Sequence, residues 1–180
     1  VLVKPFQFLN AGIDTILVKG MESELRISLA NSNAVIPIGQ QTSYKVAEMS
    51  LGQIRERSNA DYVLETSVQR IDNQLVLKSS ITNLRTTEMG GLGADTIDQE
   101  KVIFLAPDLA IRIVEKVQAK LSAEQKLELK KSGTENVEAR NLLEKSLHYY
   151  NLIQLDTAIQ LASQAIALDS NYAEAYTFRG

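Results

Sequence analysis

The spacing of apolar residues changes from a period of about four to a period of two near Tyr62, and that change limits the fold more than any other feature. Between Asp14 and Asn31, Leu17, Met21, Leu25 and Leu29 recur every four residues, with Glu22, Glu24 and Arg26 between them, as on a helix with one buried face. From Tyr62 the period is two: Tyr62, Leu64, Thr66 and Val68 alternate with Val63, Glu65, Ser67 and Gln69. A second alternating run, Leu75, Leu77 and Ile81 against Val76, Lys78 and Thr82, follows Asp72-Asn73, a pair that suits a tight turn. A helix-period block and a strand-period hairpin in one short stretch predict a mixed α/β architecture rather than an all-helical one.

The remaining elements are placed around that pair. Residues 1–8 are dense in β-branched and aromatic side chains and read as a buried strand, broken by Asn10-Ala11-Gly12. Asp14 is positioned to cap the first helix. Residues 34–38 read as a second strand, 39–45 as a polar loop, and 49–58 as a short helix carrying Leu51 and Ile54. A weaker strand spans 88–97, where Gly90, Gly91 and Gly93 point to an edge, a bulge or a loop. Pro107 and Asp108 suit the first turn of a helix whose Leu105, Leu109, Ile113, Val114, Val117 and Leu121 form a wide apolar stripe that should close the sheet. The order is β-α-β-α-β-β-(β)-α, and the fold class is α/β (α+β): a small mixed sheet with flanking helices, then a helical hairpin.

With 180 residues, 44% of them hydrophobic, the chain can hold one ordinary domain and a smaller one. A net charge of −3 with interspersed signs offers no broad field for nucleic acid or an anionic membrane surface. The absence of cysteine excludes disulfides, thiolate metal sites and cysteine nucleophiles, and leaves the redox compartment open. The longest apolar runs fall far short of the roughly 20 residues that span a bilayer. The chain starts inside a strand-like run and stops inside a new helix, so the expectation is a piece cut from a longer protein.

Residues 122–136 turn to Lys, Glu, Gln and Ser, with Ser132-Gly133-Thr134 as the least structured point, and this is where the boundary is placed. The segments are then 1–121, the linker 122–136, and 137–180. Residues 137–152 and 154–168 are two helix-period blocks, and the pattern restarts at Asn171-Tyr172. Ala139, Leu142 and Ser146 are followed 34 residues later by Ala173, Tyr176 and Gly180. With the small residues Ala158, Ala162 and Ala165 on the second helix and Asp169-Ser170-Asn171 at the turn, this part resembles a tetratricopeptide (TPR) repeat and the start of a second. It lacks the turn proline and has Ser146 in place of glycine.

Residues 1–121 resemble the TolB amino-terminal-like family. The likeness rests on Val3-Lys4-Pro5-Phe6, Gly20-Met21-Glu22-Ser23-Glu24-Leu25, the run from Ala60 to Val68, and Ile111-Arg112-Ile113-Val114. Thr66 stands where that family has glycine, and the glycine-rich 89–94 replaces an aromatic-bearing strand. The resemblance implies a bacterial sensory or regulatory setting, as in membrane-spanning ToxR/CadC-type regulators, class III adenylate cyclases and Ser/Thr kinases. It also implies an effector domain, and a membrane span, upstream of Val1. A periplasmic location for this part of an inner-membrane protein follows, with the cytoplasm as the alternative.

No residue set points to catalysis, a cofactor or a metal. His148 is the only histidine, so neither a Ser-His-Asp arrangement nor a histidine-pair metal site can be built within one chain. It reads as a packing or solvated residue, with a partner contact or pH-sensitive role as the alternative. Glu22 with Arg26 reads as an i, i+4 pair on a solvated face. Asp95 and Asp98 lack calcium-loop spacing, and Gly90-Gly91-Leu92-Gly93 lacks the strand-to-helix context of a phosphate loop. Lys126, Lys130 and Lys131 are diluted by Glu124, Glu128 and Glu135, as on a solvated linker helix.

The functional expectation is therefore a non-enzymatic sensory or scaffolding module that binds a protein or peptide through its helical repeats. Tyr149, Tyr172 and Tyr176 are the candidate contact residues. The alternative is a small-molecule sensor with a pocket at strand ends near residues 8–12 and 38–42. Tyr172, Tyr176 and Phe178 are expected either to fold back on the preceding helix or to meet a second copy in a weak homodimer.

Overall fold

The computed structural model describes residues 1–131 and 133–179. Ser132, in the expected least structured point, and Gly180, in the repeat spacing, lie outside the described residues. The opening segment forms two short strands rather than one, β1 (Leu2–Val3) and β2 (Gln7–Phe8). Both run parallel to β3 (Tyr62–Ile71), with Val3 opposite Leu64 and Gln7 opposite Ser67. The first strand thus carries one extra residue over this interval, and Pro5, which has no N–H to give to a ladder, sits in the bulge.

Helix α1 (Thr15–Asn31) begins as expected, with the Asp14 carboxylate accepting from the amides of Ile16 and Leu17. Residues 34–38 do not form a strand. Their backbone bonds to the sheet's first strand segment at Val1, whose ammonium donates to the Ile36 carbonyl and whose carbonyl accepts from the Ile38 amide, both at 2.8 Å, while Ala34, Val35 and Ile38 pack on the core clusters. The pairing goes no further because the next outward-facing carbonyl of β1, that of Val3, accepts from the Arg26 guanidinium instead. The expected loop over 39–45 is instead helix α2 (Gln40–Val46), which buries Ser43 and Val46. Helix α3 (Leu51–Ser58) starts at a reciprocal Ser50/Gln53 cap and stops at Asn59, which takes a left-handed φ of 53°.

The hairpin is as the alternation predicts. β3 and β4 (Gln74–Asn83) pair antiparallel through Ile71 opposite Gln74, and Asp72 adopts φ 53° in the turn. β5 (Met89–Asp98) completes the order β1-β3-β4-β5 as an edge strand. Its register slips by one residue near Gly93, whose φ of +94° suits only glycine. A 3₁₀ stretch, Gln99–Leu105, leads into α4 (Ala106–Lys116). The expected linker contains α5 (Ala123–Lys130), and the chain ends with α6 (Val137–Asn151), α7 (Leu155–Leu168) and α8 (Ala173–Arg179).

One sheet face is built from Leu64, Val68, Leu75, Leu77 and Ile81 and packs on Leu17, Met21, Leu25 and Leu29 of α1 and on Leu109 and Ile113 of α4. On the other face a smaller cluster joins Leu2, Val63 and Leu84 to Val46 and Ile54 of α2 and α3. A third, Ala139, Leu143, Ala165, Tyr172 and Ala175, holds α6, α7 and α8 together. Among the described residues no helix is long and apolar enough to cross a membrane.

Candidate functional site

The densest arrangement of charged groups lies where α6 meets α1 and α8. Arg140, one turn into α6, is only 5% exposed, and a guanidinium so buried needs partners. It donates to Glu24 Oε2 of α1 at 2.5 Å and, at 3.3 Å each, to Glu174 Oε2 of α8 and to the Tyr172 hydroxyl that precedes α8. Glu144, one turn further along α6, stands 3.8 Å from Arg140 Nε. Gly20 of α1 makes room for it, since a Cβ there would lie 2.7 Å from Glu144 Oε2.

Three carboxylates therefore share one guanidinium. Burial works against the Arg140 charge, but Glu24, Tyr172, Glu144 and Glu174 outweigh it and raise its pKa further. Glu144 is driven the other way relative to its charge: burial raises its pKa, Arg140 only partly offsets this, and Glu24 and Glu174 add to the rise. Burial likewise holds the Tyr172 phenol well above its ordinary range. The same helix is tied to the α/β half at two more points. Lys145 faces Asp14 at 3.9 Å, and Asn141 Nδ2 donates to the Glu100 carbonyl at 2.9 Å. Between them is a cavity of about 510 Å³ lined by Asp14, Gln99, Glu100, Glu138, Asn141 and Lys145. The buried Oδ1 of Asn141 has no hydrogen-bond partner among the described residues.

The three tyrosines singled out from the sequence do not form one surface. Tyr149 is half-buried and stacks edge-on against His148, with centroids 5.6 Å apart. Tyr172 is fully buried and presents nothing to a partner, because Arg140 and the Ala139/Ala175 cluster enclose it. Tyr176 is 43% exposed beneath the Arg179 guanidinium. Of the two outcomes expected for the end segment, Tyr172 and Phe178 fold back, Phe178 against Tyr150 at 5.3 Å, while Tyr176 faces outward.

Two further expectations are corrected. The loops at 8–12 and 38–42 do not converge on a pocket. Residues 8–12 are exposed and tied to Arg70, which exchanges bonds with Asn10 and reaches the Gly12 carbonyl, whereas Ile38 lies beside Val1 at the opposite end of the sheet. Glu22 and Arg26 are not a solvated pair: Glu22 is 2% exposed. It accepts from the Phe6 amide, from Arg26 and from the Tyr44 hydroxyl, while Arg26 donates to the Val3 carbonyl. The bulge at Pro5 leaves those backbone groups to be satisfied by side chains. Asp95 is held by both terminal nitrogens of Arg112, and Asp98 by Lys101. The signal that could have exposed the Arg140 site was weak: Arg140 falls on the apolar face of α6, between Ala139 and Leu143, where a charge implies a buried partner.

No family model matches the chain. No curated protein matches it either. Among solved structures the chain is similar to TolB from Acinetobacter baumannii, with 8% identity over 64% of this chain and a TM-score of 0.48. The matched part spans 27% of that TolB chain. It is also similar to the LpoB C-terminal domain from Salmonella enterica, with 17% identity over 54% of this chain and 80% of that one, at a TM-score of 0.41. The third is PelC from Paraburkholderia phytofirmans, a dodecamer, with 17% identity over 66% of this chain and 86% of that one, at a TM-score of 0.40.

Proposed function

We propose that this chain is a non-enzymatic sensory and scaffolding module of a larger bacterial signalling or transcription-regulatory protein. In it a TolB amino-terminal-like α/β domain sets the orientation of TPR-type helices, and those helices bind a protein or peptide. The observation that carries this reading is the buried Arg140, which ties α1 to α6 and α8 through Glu24 and Glu174. A freely tethered repeat would not place a guanidinium out of water against the neighbouring domain, because an unpaired buried charge is costly. Stacked helix pairs present extended surfaces suited to peptide capture.

The test is selection of binders from a displayed random peptide library, followed by NMR mapping of one purified binder. Shifts centred on Tyr149 and Tyr176, with binding weakened by Tyr176→Ala, support the reading. Shifts confined to the α/β half, or no binder, sink it.

One observation favours small-molecule sensing as a second reading: the cavity between α1 and α6 with its unpartnered Asn141 acceptor. A panel of amines and amino acids should then raise the melting temperature of the wild type and not of Asn141→Leu.

A further inference from the structure

The free edge of β5 combines three features that are independent of the helical array. First, β5 ends the sheet and pairs only with β4. Strand alternation turns the backbone groups of Met89, Gly91, Ala94 and Thr96 away from β4, and no other backbone meets them among the described residues. Glycine and alanine put no bulky side chain over this edge, and with neither Lys nor Pro on the strand the bulge at Gly93 is the feature that interrupts it.

Second, the helix side of the edge has a wall with two hollows. A hollow of about 360 Å³ at one end is lined by Tyr62, Glu88, Met89, Gly90, Lys116 and Gln118, and the Glu88 carboxylate there accepts from the Thr86 hydroxyl at 3.1 Å. Another of about 480 Å³ at the far end is lined by Asp95, Leu105, Ile111 and Arg112. Gly90 and Asp95 are five residues apart on β5, but the slip at Gly93 places them opposite Ile81 and Leu77, four apart on β4. A regular strand added outside β5 would therefore bring residues i and i+4, which share one face, over the two hollows.

Third, the hollows differ chemically. Lys116 lies across Gly90, where any Cβ would collide with its Cε, and it has no ion-pair partner among the described residues. In the other hollow the charges are already matched, Arg112 with Asp95, Lys126 with Glu115 and Lys130 with Asp108, so what remains to be covered is the half-buried Leu105 beside the buried Ile111.

We infer that the groove between β5 and α4 is a binding site for an extended peptide that adds a strand to the sheet, with a carboxylate over Lys116 and a large apolar side chain four residues away. Main-chain hydrogen bonds supply the adhesion in such a mode, and the alternate side chains supply the selection. A second copy of this chain meets the requirement poorly. Its own β5 carries the same bulge, and the acids it would bring on the helix side, Asp95 and the adjoining Glu88, are already engaged by Arg112 and by the Thr86 hydroxyl.

The probe is a synthetic capped eight-residue peptide alternating Val and Thr, with Glu at its third position and Leu at its seventh. Titration into isotope-labelled protein should shift and protect the amides of Met89, Gly91, Ala94 and Thr96. Lys116→Glu should weaken binding about tenfold, and the peptide with Lys in place of Glu should restore it to that variant. Methylating alternate backbone nitrogens of the peptide should abolish binding. The inference is overturned by unmoved β5 amides at millimolar peptide, or by equal affinity of the wild type and Lys116→Glu. It is equally overturned if those amides become protected in the protein alone as its concentration rises, with a dimer in sedimentation, since the occupant is then a second copy.

Discussion

Ile153 is the residue at which local sequence and local structure disagree most. It follows the last turn of α6 with φ 61°, and its amide donates to the Tyr150 carbonyl while that of Gln154 reaches Tyr149. This is the helix stop in which the left-handed residue is usually glycine. A β-branched side chain there is strained, and Ile153 is 83% exposed, so it recovers nothing by burial. Ile153→Gly should raise stability by about 1 kcal/mol, the left-handed penalty less the entropy of glycine, as read from chemical denaturation. Ile113 lies at the other extreme. It is fully buried between α4 and the sheet, and Ile113→Ala should cost about 2–5 kcal/mol in the same measurement. The stripe on α4 made Ile113 legible from spacing alone. Nothing comparable marked Glu22, because an acid four residues before an arginine looks the same on a wet face as beneath a bulged strand.

At the scale of elements, the long periodic segments were readable and the short ones were not. α1, α4, α6, α7 and the β3/β4 hairpin each carry several repeats of their own period, so their faces are set before any tertiary contact forms. α2 contributes only Ser43 and Val46 to the interior, too few positions to display a period. Residues 34–38 have strand composition, but beyond Val1 the next carbonyl of β1 is taken by Arg26, so no ladder continues. The contact between α1 and α6 predicts a pH dependence. The folded-state pKa of Glu144 is raised by burial, so the folded chain binds this proton more tightly than the unfolded chain. That stabilisation is complete below the ordinary carboxylate range and is lost as pH rises through the folded-state value. Glu144→Gln removes the charge and keeps the shape. Its stability should therefore match the wild type most closely in acid and exceed it at neutral pH, by denaturant titrations at both. A variant weaker than the wild type at neutral pH would show that Arg140 needs the Glu144 charge.

Across the whole molecule the question is whether the α/β half and the helical end unfold as one. Each has its own apolar cluster, and that of the helical end is small and rich in alanine, so α6 to α8 gain little from burial by themselves. What joins the halves is mainly polar, and its centre pairs Arg140 with Glu24 across 116 residues of sequence. No spacing rule reaches that far, which is why the sequence suggested a boundary near 122–136 and said nothing of the bond that crosses it. Arg140→Met keeps the volume of the side chain and leaves Glu24, Glu144 and Glu174 facing one another without a cation. Breaking a buried pair in this way costs about 3–5 kcal/mol. Two outcomes separate by hydrogen exchange. If the halves are separate cooperative units, amides of α6, α7 and α8 should exchange much faster in the variant, while those of β3 and β4, which lie over the Leu64, Val68 and Ile113 core, stay near their wild-type rates. Equal acceleration of the sheet amides would mean that the helices and the sheet form a single folding unit, with Arg140 at its core.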